Sequence, residues 1–146
     1  MNLLLLMPDD FVAPNRARLT GRRVDHVREI HRAIPGQTLR VGVLNGDLGT
    51  GLVTHLDAHH LDVEVHLEGP PPPKLPWTLL LALPRPKVLN RVLASATSLG
   101  VARIVLMNAW RVEKAYWKSP RMSAENLRQQ CILGLEQARD TVLPDL

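Results

Sequence analysis

Residues 108–118 mix cationic and aromatic side chains, among them Trp110, Arg111, Lys114 and Trp117. Arginine and lysine bind phosphates and aromatic rings stack on unpaired bases, so this mixture indicates contact with a nucleic acid. The stretch follows a predicted strand, which is where open α/β sheets bind their ligands. The alternative is that the two tryptophans only cap the sheet, and the residue types alone leave both interpretations open.

A second concentration of positive charge lies nearer the amino terminus. The 146 residues carry a net charge of +4, and within residues 16–40 only Asp25 and Glu29 are acidic. Such an excess favours a polyanionic partner, although a solvated charged helix face is a common alternative. The candidate phosphate contacts are Arg16, Arg18, Arg22, Arg23, Arg28, Arg32 and Arg40.

Other kinds of site are not indicated by the sequence. The glycine-rich residues 45–51 lack the Lys-Ser/Thr of a P-loop, and no dinucleotide fingerprint or nucleophile elbow occurs. His59 and His60 have no partners at metal-ligand spacing, so no metal is expected. The single cysteine, Cys131, excludes an internal disulfide and indicates a packing residue in a cytoplasmic protein. These patterns assign no catalytic residue.

Before the proline-rich run at residues 70–76, the patterns are mostly those of strands. Apolar residues alternate over 38–44 and 61–67, and a third strand is predicted through Leu52 after a tight turn. The apolar opening residues, stopped by Pro8, predict a strand buried on both faces and no membrane segment. A small antiparallel sheet or barrel is therefore expected.

One helix is predicted to interrupt these strands, from about Arg22 to Ala33, with Pro35 and Gly36 ending it. Apolar residues at helical spacing give it one buried stripe. The stripe consists of Val24, Val27, Ile30 and Ile34.

After the proline-rich run the period of the pattern changes. Apolar runs at 77–83 and 101–107 predict parallel strands buried on both faces, separated by a helix from Pro86 to Gly100. A second helix starts near Ser123. Two parallel strands make a poor sheet, so uncovered apolar surface is expected. The predicted helix faces are Val88, Leu89, Val92, Leu93, Ala96 and Leu99, and then Leu127, Cys131, Leu135 and Ala138.

The succession of short motifs resembles the amino-terminal portion of the bacterial ribosomal small-subunit RNA methyltransferase E family. The resemblance runs over nearly the whole chain in order and spacing. The motifs are Asp-His-Val-Arg-Glu-Ile-His-Arg at 25–32, Pro35-Gly36, Gly46-Asp47, Leu-Pro-Arg-Pro-Lys at 83–87, Ser-Leu-Gly-Val at 98–101, Glu-Gln-Ala-Arg at 136–139 and Leu143-Pro144.

The resemblance implies an α+β part followed by an α/β part. Residues 1–69 would form a PUA-like RNA-binding β-barrel, 70–76 a linker, and 77–146 the first βαβα part of a SPOUT-type domain whose trefoil knot is absent. The family uses S-adenosylmethionine to methylate N3 of a uridine in 16S rRNA. It works as a homodimer formed mostly through the knot, so we do not expect this chain to keep the dimer.

This resemblance also implies roles for individual residues. Arg111 and Lys114 would lie near the target nucleotide of small-subunit rRNA, and the seven amino-terminal arginines would hold phosphates. The chain departs from the family pattern at Ser98, where an acidic residue is usual, and at Arg139 and Asp140, where the family has Gly-Arg. Because the knot forms the cofactor site in the family, we expect RNA binding with little methyl transfer. The alternative is a free-standing, non-catalytic RNA-binding module.

Overall fold

The alternating apolar residues of the first part form most of the strands. The computed structural model describes residues 2–146. The strands within these residues are β1 Leu4–Leu6, β2 Phe11–Ala13, β3 Arg16–Leu19, β4 Thr38–Val43, β5 Leu48–Leu56, β6 Leu61–Gly69, β7 Leu75–Ala82 and β8 Val101–Met107.

The helices lie between and after these strands. The α-helices are α1 Arg22–His26, α2 Pro86–Ser98, α3 Lys114–Trp117 and α4 Ala124–Ala138. A π-helical segment, Val27–His31, continues α1, and single 3₁₀ turns occur at Pro8–Asp10 and Pro120–Met122. The result is a mixed α and β fold, as the pattern predicted.

Strands β1 to β6 form one sheet in the order β1-β4-β5-β6-β3-β2. β1 runs parallel to β4, with Leu4 opposite Val41, and the other pairs are antiparallel. One face packs on α1 and the π-helical segment through an apolar cluster that includes Leu19 and Val63. The three predicted strands are confirmed. In this hydrogen-bond order β1 and β2 are opposite edges, so of the two expected forms, a small sheet or a barrel, the hydrogen bonds show an open sheet.

Strands β2 and β3 were not predicted. In β3, exposed Arg16 and Arg18 alternate with buried Ala17 and Leu19. This period of two is the ordinary signal of a half-buried strand, but four residues are a short sample. Two of the arginines expected to bind phosphate therefore lie on a strand, opposite β6.

The predicted helix over Arg22–Ala33 is shorter and less regular in the structure. From Val27 onward its hydrogen bonds have π-helical spacing, and Arg32 ends it in the left-handed region with φ 50°. The wider turn breaks the 3.6-residue period, so Ile30 is 67% exposed instead of facing the core. Of the predicted stripe only Val24 and Val27 are buried, and Ile34 is also exposed.

Strands β7 and β8 form a parallel pair, with Leu80 opposite Val105. α2 covers one face through Leu89 and Leu93. The other face is bare: Leu80 is 64% exposed, and Val105 and Met107 are also exposed. The prediction that both strands are buried on both faces is therefore wrong, whereas the expected uncovered apolar surface is confirmed.

The predicted helix ends in this second part are confirmed. Pro86 opens α2, Gly100 follows it with φ 80°, and the Ser123 side chain accepts a hydrogen bond from the Asn126 amide at the start of α4. The predicted apolar faces are wrong at two positions, because Leu99 and Ala138 are exposed. Both lie at a carboxyl end, where the helix leaves its neighbour.

The carboxyl-terminal residues form one parallel bridge beside β8. The Ile104 amide donates to the carbonyl of Asp145 at 2.7 Å, and the Asp145 amide donates to the carbonyl of Ala102 at 2.9 Å. This is the position in the βαβα order where the sequence predicts the next strand. The bridge places Asp145 at the edge of the small sheet.

The two parts of the chain also pack directly on each other. Leu3 and Leu5 of the first sheet contact Ile132 and Leu135 of α4, while Leu4 and Leu6 face the first core. The prediction that the opening strand is buried on both faces is confirmed. The proline-rich run is therefore one of several connections, and β7 begins at Leu75, inside the predicted 70–76 linker.

Candidate nucleic-acid interface

The two parallel strands end side by side and release two neighbouring loops. Ala82 is opposite Met107, and the Leu83 amide donates to the Met107 carbonyl at 3.0 Å. Neighbouring strands lie about 4.8 Å apart, so the loop before α2 and the loop after β8 start next to each other. The carboxyl edge of parallel strands is where α/β sheets bind their ligands.

The loop after β8 is fixed at its base and open at its tip. The Val112 amide donates to the Ala109 carbonyl at 3.0 Å, which closes a turn with Trp110 and Arg111 at its centre. Val112 and Tyr116 pack against the core under β8 and α2. Trp110 is 97% exposed, so the indole projects from an anchored turn.

Five exposed cations lie on the two segments that follow this edge, and we call them the carboxyl-edge cluster. Within the described residues none of the five forms an ion pair. The acidic residue nearest in sequence is Glu113, and its carboxylate accepts a hydrogen bond from the Tyr116 hydroxyl at 3.2 Å. The positive charge of the cluster is therefore available to an outside anion. The members are Arg85, Lys87, Arg111, Lys114 and Lys118.

Two of the predicted phosphate contacts instead hold carboxylates of this chain. Arg22 donates to both carboxylate oxygens of Glu136, at 3.0 and 2.9 Å. Arg23 donates to both oxygens of Asp10, at 2.6 and 2.8 Å, and to the Leu5 carbonyl. Both pairs fix elements to each other.

Three further arginines lie beside acids, of which Asp62 is buried. Arg18 donates to both oxygens of Asp62, at 2.7 and 2.8 Å, and these hydrogen bonds lower the pKa of the Asp62 carboxyl. Arg28 lies 3.6 Å from Asp25 and 3.2 Å from Glu29.

The last of these three arginines, Arg40, lies 3.9 Å from Glu68. Arg16 is opposite Glu64 in the sheet register, and Arg32 is exposed at the helix end. The seven arginines therefore do not form one basic surface.

The family of RNA methyltransferase domains matches residues 71–146, about half of the chain. The chain belongs to this family. The match includes β7, α2, β8 and the whole carboxyl-edge cluster. Its charged edge is thus part of an RNA methyltransferase domain.

Individual relatives extend the likeness over the first part. The ribosomal RNA small subunit methyltransferase E of Treponema pallidum (strain Nichols) is 30% identical over 147 residues, which cover 99% of this chain and 55% of the relative. The Neisseria gonorrhoeae methyltransferase E structure, bound to S-adenosyl methionine, gives a TM-score of 0.77 at 20% identity, over 100% of this chain and 60% of that chain.

A probable rRNA-methyltransferase from Porphyromonas gingivalis has the same fold, with a TM-score of 0.74 at 20% identity. The alignment covers 99% of this chain and 58% of that chain. The chain thus spans little more than half the length of the relatives that it matches.

A groove of about 510 Å³ lies between β8, α4 and the carboxyl-terminal residues of this RNA methyltransferase domain. It is mainly apolar, and its acid, Asp145, accepts a hydrogen bond from Arg103 at 2.9 Å. Cys131 lines it, and burial raises the pKa of that thiol, as befits a packing residue.

S-adenosylmethionine would require polar partners in this groove. That cofactor carries a carboxylate, an ammonium group and an adenine edge, each of which needs polar partners when buried. The described buried side-chain atoms without partners are His26 Nε2 and Thr97 Oγ1, and neither residue lines the groove. The described residues do not by themselves fit the cofactor.

No group of three or more His, Cys, Asp or Glu side chains within residues 2–146 could hold a metal ion. No helix in the same range is long and apolar enough to cross a membrane.

Sequence reasoning missed part of the charged edge. Arg111 and Lys114 were predicted near a target nucleotide, and the structure places both in the cluster with Trp110. Arg85 and Lys87 were noted only as part of a motif. The signal was available, because the carboxyl ends of parallel strands meet at one edge and bring these two loops together.

Proposed function

We propose that this chain is the RNA-binding part of an S-adenosylmethionine-dependent methyltransferase that acts on N3 of a uridine in 16S rRNA. The family match and the small-subunit rRNA methyltransferases among the relatives support this proposal. Residues 1–69 serve as the PUA-like RNA-binding unit, and residues 77–146 as the first part of a SPOUT-type domain. Ribosomal RNA as the substrate suits a cytoplasmic protein.

The carboxyl-edge cluster carries this proposal. It consists of cations without acidic partners on the two segments that follow β7 and β8, within the matched range, at the edge where α/β domains bind substrates. Arg111 and Lys114 contact phosphates next to the target nucleotide. Base methylation at N3 requires an unpaired, extruded uridine, so the adjacent phosphates must be held while the base is displaced.

The arginines of the first part have divided roles in this proposal. Arg16, Arg32 and Arg40 present exposed guanidinium groups to the RNA backbone, and Arg28 adds what its surface acids leave free. Arg18, Arg22 and Arg23 are reassigned to the fold, because each gives a two-point contact to a carboxylate of this chain.

The cofactor supplies the methyl group in such a reaction. Because the described residues do not fit it, we propose that the 146-residue chain alone binds RNA and transfers little or no methyl. The bare apolar face of β7 and β8 disfavours the alternative of a free-standing module, since parallel sheets are normally covered on both faces. The dimer of the family is not expected for the chain alone.

Removing two cations of the cluster tests the RNA contact. In the double variant Arg111→Ala, Lys114→Ala, the affinity for a small-subunit rRNA fragment should fall at least tenfold at low salt. The slope of log affinity against log salt should shrink by about 1.4, at about 0.7 for each phosphate contact of a single strand. Fluorescence anisotropy over a salt series measures both.

The matched control removes two exposed cations elsewhere, in the variant Arg91→Ala, Arg128→Ala. It changes the net charge by the same amount. A comparable loss of RNA affinity in the control would therefore mean that overall charge, and not the position of the cations, causes the effect. An unchanged salt slope in the test variant would contradict the proposed contact.

Calorimetric titration with S-adenosylmethionine tests the cofactor proposal. The chain alone should show no stoichiometric binding, because the described groove offers no set of buried polar partners. The same preparation should bind the rRNA fragment, which controls for folding. Tight cofactor binding would show that these two βα units suffice for the site.

A further inference from the structure

The position of Trp110 is not explained by packing. It is 97% exposed, whereas Trp77 is 61% and Trp117 is 38% exposed. An indole is among the most apolar side chains, and it stabilises a fold only where it is covered. Trp110 therefore does not cap the sheet, and packing within the chain does not account for the exposure of its indole.

The backbone presents this indole from a fixed base. Trp110 and Arg111 occupy the centre of the turn closed by the Val112 amide, and Val112 itself packs into the core. α3 follows at once, with Tyr116 packed against the same core. A side chain held in this way loses little further freedom when a ligand covers it.

Cations follow both of the neighbouring strand ends. Arg111 and Lys114 come after Trp110, with Lys114 at the start of α3, and Arg85 and Lys87 lie at the start of α2, after the neighbouring strand. An exposed aromatic ring together with cations from two adjacent segments matches a single strand of nucleic acid, in which a base stacks on the ring while neighbouring phosphates bind the cations.

We propose that Trp110 is a stacking platform for an unpaired base, and that it makes the carboxyl-edge cluster select unpaired RNA over duplex RNA. This inference rests on the proposed function and adds the form of the RNA that the site takes. Bases inside a duplex are already stacked on each other and offer no face to the indole. The cations bind both forms, so the preference comes from the ring.

The test compares two RNA probes of equal length, a single-stranded oligouridine and a self-complementary duplex. Trp110→Ala should weaken binding of the single strand roughly tenfold or more and leave duplex binding within about twofold. Trp110→Phe should keep most of the single-strand affinity, because phenylalanine also stacks. Anisotropy titrations measure both affinities, and thermal unfolding verifies that the variants are folded.

The control is Trp77→Ala, which removes another exposed indole from the opposite end of β7. It should change neither affinity. Equal losses on the two probes in Trp110→Ala, or no loss on either, would overturn the stacking role while RNA binding by the unaltered chain still supported the proposed function. Failure of the unaltered chain to bind either RNA would overturn the proposed function itself.

Discussion

Replacing Arg22 by alanine is expected to destabilise the protein by about 3 kcal/mol, since the substitution leaves a buried carboxylate without its counter-charge. Arg22 donates to both oxygens of Glu136, at 3.0 and 2.9 Å, and Glu136 is 1% exposed. The Arg22 side chain is half exposed, so its removal sacrifices little buried surface. The loss of stability therefore comes from the buried carboxylate. Urea unfolding followed by circular dichroism should show it as a lower midpoint.

Two comparisons separate this effect from general loss of charge. Arg28→Ala, whose pairs with Asp25 and Glu29 are exposed, should change stability by about 0.5 kcal/mol or less. The double variant Arg22→Met, Glu136→Leu should lose less than Arg22→Ala, because no charge remains buried. If the double variant were the less stable one, the ion pair would be stabilising in itself and our explanation would fail.

This ion pair matters for function because of where it lies. The Glu136 carbonyl also accepts the amides of Asn2 and Leu3, at 2.8 and 3.0 Å. One residue of α4 thus binds the helix start and the first strand of the amino-terminal part. The two parts, each with its own proposed RNA contacts, are held against each other at this point.

The sequence motif at residues 136–139 includes Glu136 but gives no partner for its carboxylate. Arg22 lies 114 residues away in the chain, and each of the two looks like a surface residue within its own helix. Local patterns report burial on one element, whereas this pair depends on how two elements meet. Its partner could not be predicted from spacing for that reason.

Features with a local cause were predictable. Gly100 has φ 80° because a helix that turns sharply into a strand needs a left-handed residue, and Ser123 caps α4 through its own side chain. The strands of the first sheet follow from alternation. The helix over Arg22–Ala33 was mispredicted because π-helical spacing is not visible in an apolar stripe counted at 3.6 residues per turn.

In the candidate site, too, local features were predictable and features that depend on how elements meet were not. The mixture of cations and aromatics at 108–118 indicated an RNA contact, and its place after β8 followed from the βαβα order. The seven amino-terminal arginines were grouped because they are close in sequence, yet Arg18 and Arg40 lie on strands and Arg22 and Arg23 bind acids of this chain. Proximity in sequence is a poor guide when strands and helices alternate.

Replacing Gly134 by alanine is expected to destabilise the protein by about 2 kcal/mol, although alanine is the better helix former by about 1 kcal/mol. A Cβ at this position would lie 2.4 Å from the Ala94 carbonyl oxygen and 2.7 Å from Thr97 Cβ. The obstacle is mostly backbone of α2, which cannot rotate aside, so the helices must separate.

The consequence should extend from stability to RNA binding. α2 begins beside Arg85 and carries Lys87 in its first turn, so moving α2 away from α4 shifts one of the two loops of the carboxyl-edge cluster. We expect a lower thermal midpoint together with weaker binding of the rRNA fragment. Gln129→Ala, at an exposed position of α4, should change stability by about 0.5 kcal/mol or less. A gain in stability for Gly134→Ala would mean that helix propensity outweighs the close crossing, and that α2 and α4 can move apart without cost.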